Sequence, residues 1–141
     1  MINWISRPLA LGIHDRQLAE HGGGSGVRDE GLLESALPPP QQLHYYRDPP
    51  PDLADLAASL AFGLTRNHPF VDGNKRTAAV ACEVLIMLNS AELDAEDHEL
   101  YPLYLGLAEG SLDEAEFAEW LRPRIMATRQ IKVQEPRARA S

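Results

Sequence analysis

Apolar positions along this chain recur at three- and four-residue intervals almost throughout, the pattern of helices that bury one face. Ser6 is placed to cap a first helix, with Pro8 in its first turn, that runs to about His21 and is broken by the glycines up to Gly26. Asp29 caps a short second helix with Leu32, Leu33, Ala36 and Leu37 inward, stopped by Pro38–Pro40; a loop then extends to a second proline triplet, Pro49–Pro51. The third helix is the clearest. Asp52 caps it, Leu53, Leu56, Ala57, Leu60, Ala61 and Leu64 form its stripe, and Pro69 ends it near Asn67. A fourth helix runs from about Asn74 to Asn89 with Ala78, Ala81, Cys82, Leu85 and Leu88 buried. A fifth covers roughly 96–109 and stops at Gly110. Ser111 and Glu114 suggest a capping box for a sixth, which buries Phe117, Trp120 and Leu121. No strand-period run of any length and no internal repeat is present. The expectation is one all-α domain of about six helices over residues 1–123, followed by a basic tail, 124–141, that frays or is disordered.

Composition narrows the picture without redirecting it. The 141 residues suit one domain, and 44% hydrophobic content supports a real core. No apolar run reaches membrane-spanning length, and the N-terminus carries charge too early for a secretory signal. One cysteine, Cys82, gives neither a disulfide framework nor a cysteine zinc site; a reducing cytoplasm is the expected compartment. The net charge of −8 is unevenly spread: residues 1–121 hold 7 Lys/Arg against 20 Asp/Glu, the last twenty 6 against 1. An acidic body repels phosphate backbones, so nucleic-acid binding by the domain is not expected. Three of its seven cations, Arg66, Lys75 and Arg76, nonetheless fall within eleven residues.

That cluster lies in Arg66-Asn67-His68-Pro69-Phe70-Val71-Asp72-Gly73-Asn74-Lys75-Arg76-Thr77, the loop between the third and fourth helices. Its residue types suit phosphate chemistry. Gly73 and Asn74 lead into a helix N-terminus, whose free N–H groups and positive dipole end attract anions. Lys75 and Arg76 in that first turn cost the helix up to about 1 kcal/mol, a cost that a bound anion would offset. Asp72 offers a hard oxygen ligand for Mg²⁺. His68 is the candidate general base, histidine being the side chain that titrates nearest neutrality. Singly, each has an ordinary structural reading: a helix-end histidine, a turn, a solvated Lys-Arg pair, and a core anchor for Phe70. Base, metal ligand, anion nest and two cations within nine residues favour chemistry.

The run HPFVDGNKRT resembles the signature H-x-F-x-[D/E]-x-N-[G/K]-R of the Fic/Doc superfamily, and Lys75 matches the death-on-curing (Doc) branch, where Fic enzymes have Gly. The likeness covers roughly residues 4–121, including IHDRQLAEHGGGSGVRDEGLLESALPPPQ and the closing GSLDEAEFAEWL. It implies a compact helical Fic/Doc fold. It further implies His68 as the base acting on a target hydroxyl, Phe70 as the loop's anchor and Asp72 as the Mg²⁺ ligand. Gly73 and Asn74 would form the anion-binding turn, and Lys75, Arg76 and Arg66 would serve the nucleotide phosphates. The implied activity is that of a toxin transferring the γ-phosphate of ATP to a Ser/Thr hydroxyl of a translation factor, elongation factor Tu in characterised Doc toxins. An antitoxin protein would neutralise it.

Two departures from the Fic pattern favour γ-phosphate transfer. Lys75 stands in place of Gly, and Ala79 stands where Fic enzymes carry a second arginine. No S/T-x-x-x-E-[G/N] self-inhibition motif occurs, which leaves control to a separate protein. The alternatives are AMP or other nucleotidyl transfer to a protein hydroxyl, and a binding-only relative without turnover. Elsewhere the readings are structural. Gly22–Gly24 with Gly26 lack the Lys-Ser/Thr of a P-loop and read as a flexible loop, at the cleft edge by resemblance. His14 and Asp15 match family positions but read as core or solvated; His21, His44 and His98 have no metal-ligand spacing; Cys82 reads as a buried core residue; Tyr45-Tyr46 either contact a partner or cover their loop.

Overall fold

The computed structural model describes residues 1–128. In chain order they form α1 (Arg7–His21), α2 (Glu30–Ala36), α3 (Pro39–Tyr46), α4 (Leu53–Asn67), α5 (Asn74–Leu88), β1 (Ala91–Leu93), α6 (Asp97–Glu109), α7 (Glu114–Leu121), a 3-10 turn at Arg122–Arg124 and β2 (Ile125–Ala127). The centre is α4, against which α2, α3, α5, α6 and α7 pack. Its composition explains the position. Nine of its fifteen residues are buried, five of them leucines or alanines of the predicted stripe, so the apolar surface wraps most of the helix. Ala57, Ala58 and Ala61 are wholly buried, and small side chains let neighbouring backbones close in. At Gly63 a Cβ would lie 3.0 Å from the Ala36 carbonyl oxygen of α2. Among the described residues no helix is long and apolar enough to cross a membrane.

Local signals set most boundaries. Ser6 Oγ accepts from the Leu9 N–H, Asp29 from Leu32, and Asp52 and Asp55 form a reciprocal capping box. Gly110, in the left-handed region, closes α6.

Four expectations need correction. Pro38–Pro40 end α2 but also begin α3, because proline suits a helix's first turn: its fixed φ fits, and its absent N–H would have had no partner there. The cap of α7 is Asp113 with Glu116, not Ser111 with Glu114; the Ser111 and Leu112 N–H groups both donate to the Gly106 carbonyl and so belong to the end of α6. On α5, Ile86 takes the buried place expected of Leu88, which is 40% exposed. Trp120 is only half-buried.

The chain also stays ordered past residue 123. β2 pairs antiparallel with β1, Ala91 opposite Ala127. Arg122 bridges to Asp52, Asp55 and Glu119, while the Arg124 guanidinium lies 4.0 Å over the Trp120 ring. Arg124, the first basic residue of the expected tail, is thus held on the folded body, as is Arg122 just before it. The rest of that tail, 129–141, lies outside the described residues.

Candidate active site

Six residues, 68–73, join α4 to α5. α4 ends at His68 in a left-handed backbone conformation, φ 54° and ψ 53°. For a non-glycine residue this costs about 1–2 kcal/mol, so the surroundings must impose it. The surroundings do so with hydrogen bonds. The Arg28 guanidinium donates to the His68 carbonyl at 2.8 Å and the Asn67 carbonyl at 3.1 Å. The Asn67 amide donates to the Leu32 carbonyl and Ser35 Oγ of α2, both at 2.9 Å. Backbone N–H groups of Arg28 and Asp29 donate to the Pro69 carbonyl, and Val71 donates to that of Gly26, around an antiparallel bridge between Val27 and Phe70.

In such a bridge the groups of alternate residues face opposite sides. Those of Phe70 turn away from the 26–29 segment and meet Asn74. Its N–H donates to Asn74 Oδ1 at 2.9 Å, and its carbonyl accepts from Asn74 Nδ2 at 3.0 Å. The ring of Phe70 is 1% exposed and stacks on His14, centroids 3.9 Å apart. His14, itself buried, reaches the Asp72 carbonyl through Nε2 at 2.8 Å; a carbonyl only accepts, so Nε2 carries the proton.

The loop so held presents its chemical groups on one edge of a cavity of about 410 Å³. His68, Asp72, Gly73, Asn74, Lys75 and Arg76 all line it. The His68 residue is exposed, as a group that takes a proton from a substrate must be. Gly73, at φ 75°, turns the chain into α5 with no side-chain cap. Among the described residues the N–H groups of Asn74, Lys75 and Arg76 have no acceptor, leaving an open anion site at the positive end of a fifteen-residue helix.

The Asp72 carboxylate accepts from Gly73 N at 2.8 Å and Gly24 N at 3.3 Å. These two N–H bonds, Gly73's foremost, with a smaller contribution from the Arg76 charge, hold its pKa below the ordinary carboxylate value and keep it ionised. The described residues hold no cluster of three or more metal-ligating side chains. A single carboxylate fits Mg²⁺ held jointly with substrate phosphates, the usual arrangement for that ion.

The predicted residues divide on this geometry. Phe70 is the anchor expected of it. The Asn74 side chain is spent on Phe70, so only its backbone N–H is free for an anion. Arg66 is not brought to the cavity; its guanidinium lies 5.6 Å from the Phe62 ring centroid and close by Gly110. From the last turn of α4, before the chain reverses at His68, it projects outward. The core reading of His14 holds, but sequence reasoning missed its bond to the Asp72 carbonyl and missed Arg28, both dozens of residues from the loop they hold. It also missed the fit of Gly23, where a Cβ would lie 2.6 Å from Asp72 Oδ2.

A family model described as the Fic/DOC family matches residues 4–86, from the start of the fold to near the end of α5. The chain belongs to the Fic/DOC family. Its helical architecture and the placing of HPFVDGNKRT at the α4–α5 junction accord with that membership. Toxin Doc of Mycolicibacterium smegmatis is 47% identical over 75 residues, which span 53% of this chain and 58% of that protein. Protein kinase doc of Escherichia phage P1 is 29% identical over 118 residues, 84% of this chain and 92% of that protein. The chain thus covers little more than half of the mycobacterial relative and nearly all of the phage one.

Proposed function

We propose that this Fic/DOC chain is a Doc-type toxin that transfers the γ-phosphate of ATP to a Ser or Thr hydroxyl of a protein, with a translation factor, elongation factor Tu by resemblance, as the substrate. The observation that carries the reading is the convergence of the exposed His68, the ionised Asp72 and the open N-terminus of α5 with Lys75 and Arg76 on one cavity edge. Phosphoryl transfer needs positioning and charge neutralisation more than covalent help, and this edge is built of such groups. His68 takes the proton of the attacking hydroxyl. The 74–76 N–H groups, Lys75 and Arg76 bind the phosphate oxygens, and Asp72 holds Mg²⁺ on the nucleotide. When bound, that ion offsets phosphate charge. The names of the two relatives, a toxin and a protein kinase, favour this reading over nucleotidyl transfer. An antitoxin that closes the cavity in the cytoplasm would supply the control that the chain's own sequence lacks.

Parallel incubations with γ-labelled and α-labelled ATP in a bacterial translation extract test it. Label on a protein band from γ-labelled ATP alone, reduced about 10²–10⁴-fold by His68→Ala, is the expected result. Label from α-labelled ATP would make the protein a nucleotidyl transferase, and transfer undiminished in His68→Ala would remove the base. In the same assay Lys75→Gly should lower γ-transfer.

A further inference from the structure

A second cavity, of about 570 Å³, lies between α3 and α7 over the middle of α4 and shares no lining residue with the one at the loop. Pro39, Leu43 and Tyr46 of α3 form one wall, and Ser59 of α4 the floor. Glu114, the first residue of α7, stands on the other side. Two polar groups here lack partners. Ser59 is 2% exposed, yet its hydroxyl bonds to nothing among the described residues, and unlike the hydroxyls of Thr65 and Thr77 it is not sealed inside the fold. Glu114 is half-buried and has neither a hydrogen bond nor an ion pair among the described residues. Tyr46, 84% exposed, keeps a large aromatic ring in water on the same cavity.

The charges around the cavity are unbalanced. Arg47 bridges to Asp55 at 2.8 Å, and Arg122 bridges to Asp52, Asp55 and Glu119. Two guanidinium groups are thus already shared among three carboxylates, while Glu114 keeps Asp55 and Asp113 as like-charged neighbours. Burial foremost, then the Asp55 charge, disfavours the ionised form of Glu114 against the pull of Arg47. An entering anion would meet this carboxyl group, whereas an entering cation would relieve it.

We propose that this cavity is a docking site for a protein partner that inserts a lysine or arginine side chain. The ammonium or guanidinium donates to the Glu114 carboxylate and to Ser59 Oγ, and packs on the ring of Tyr46. Its methylene stem lies along Pro39 and Leu43. The site is separate from the loop, so it stands whatever reaction the loop performs.

The probe is the capped peptide acetyl-Gly-Lys-Gly-amide, with a norleucine peptide of the same length as its uncharged match. Backbone amide NMR on the full chain should show saturable shifts at Leu43, Ser59 and the first turn of α7, with a Kd on the order of 1 mM for a single inserted side chain. Glu114→Gln should weaken the lysine peptide about tenfold, and Ser59→Ala and Tyr46→Ala about threefold each. All three should keep the dispersed spectrum of the wild type, because none of these side chains makes a bond within the described fold. Equal affinity for the norleucine peptide, no saturation by about 10 mM lysine peptide, or wild-type binding by Glu114→Gln overturns the proposal. Binding that emerges only when Arg129, Lys132, Arg137 and Arg139 are all changed to alanine would make the chain's own 129–141 segment the occupant and overturn the protein partner.

Discussion

Asn74 offers the sharpest test of how the loop is built, because a ligand role and a clamp role predict different results. Its side chain is 4% exposed and bonds both the N–H and the carbonyl of Phe70, at 2.9 and 3.0 Å. Among the described residues neither Phe70 group has another partner, since the bridge to the 26–29 segment uses Pro69 and Val71 instead. Asn74→Ala therefore leaves a buried donor and a buried acceptor unpaired, each costing about 1–3 kcal/mol. The sum, roughly 2–6 kcal/mol, is a large share of a typical domain stability of about 5–15 kcal/mol. Urea unfolding followed by fluorescence of Trp4 and Trp120 should show a midpoint lower by about 1 M or more at unchanged m. Asn74→Asp sharpens the test. One oxygen can still accept from the Phe70 N–H, but the other faces the Phe70 carbonyl and cannot donate unless protonated. The folded state then favours the neutral acid, so this variant's folded pKa is raised. Its stability should approach wild type at low pH and fall away as pH rises through that value. A variant Asn74→Ala with wild-type stability but lost ATP binding would show the side chain to be a ligand and refute the clamp.

Three further outcomes follow from the same coordinates. Gly22 and Gly23 both have positive φ, but only at Gly23 would a Cβ strike Asp72, so Gly23→Ala should depress Mg²⁺-dependent transfer well beyond Gly22→Ala; equal effects would detach the glycine loop from Asp72. The Arg122 guanidinium holds the Asp52 carboxyl down to about 2 from 3.8, so its contribution is full above the higher value and is lost as pH falls through the lower. With side chains 38% and 48% exposed the pair is screened; Arg122→Ala should cost about 1 kcal/mol at pH 7, a difference that thermal melts should find vanishing near pH 2. Burial pushes the Cys82 thiol up to about 12, so a disulfide reagent at pH 8 should label it only as fast as the protein unfolds, and rapid labelling would mean that α5 opens locally.

Much of the fold was legible because the signals that set it are local. The stripe of α4, the caps at Ser6, Asp29 and Asp52, and the stop at Gly110 depend on residues within a turn or two of each other. The candidate loop was legible for the same reason, since His68, Asp72 and the start of α5 are neighbours in the chain. Proline chemistry misled at α3, where the same residue type that breaks one helix starts the next. What the sequence could not reveal depends on pairing across distance. Arg28 holds a carbonyl 40 residues away, and His14 one 58 residues away. β2 is three residues long, too short for a pattern, and exists because β1 supplies its partner groups. Arg66 shares the loop's sequence and misses its cavity, while Glu83 and Asp97 share no motif and line it. Periodicity and caps are properties of a chain segment and are written in order along it. Which side chains meet in one cavity is fixed only when the helices pack, because burial rewards the whole arrangement and no single segment carries it.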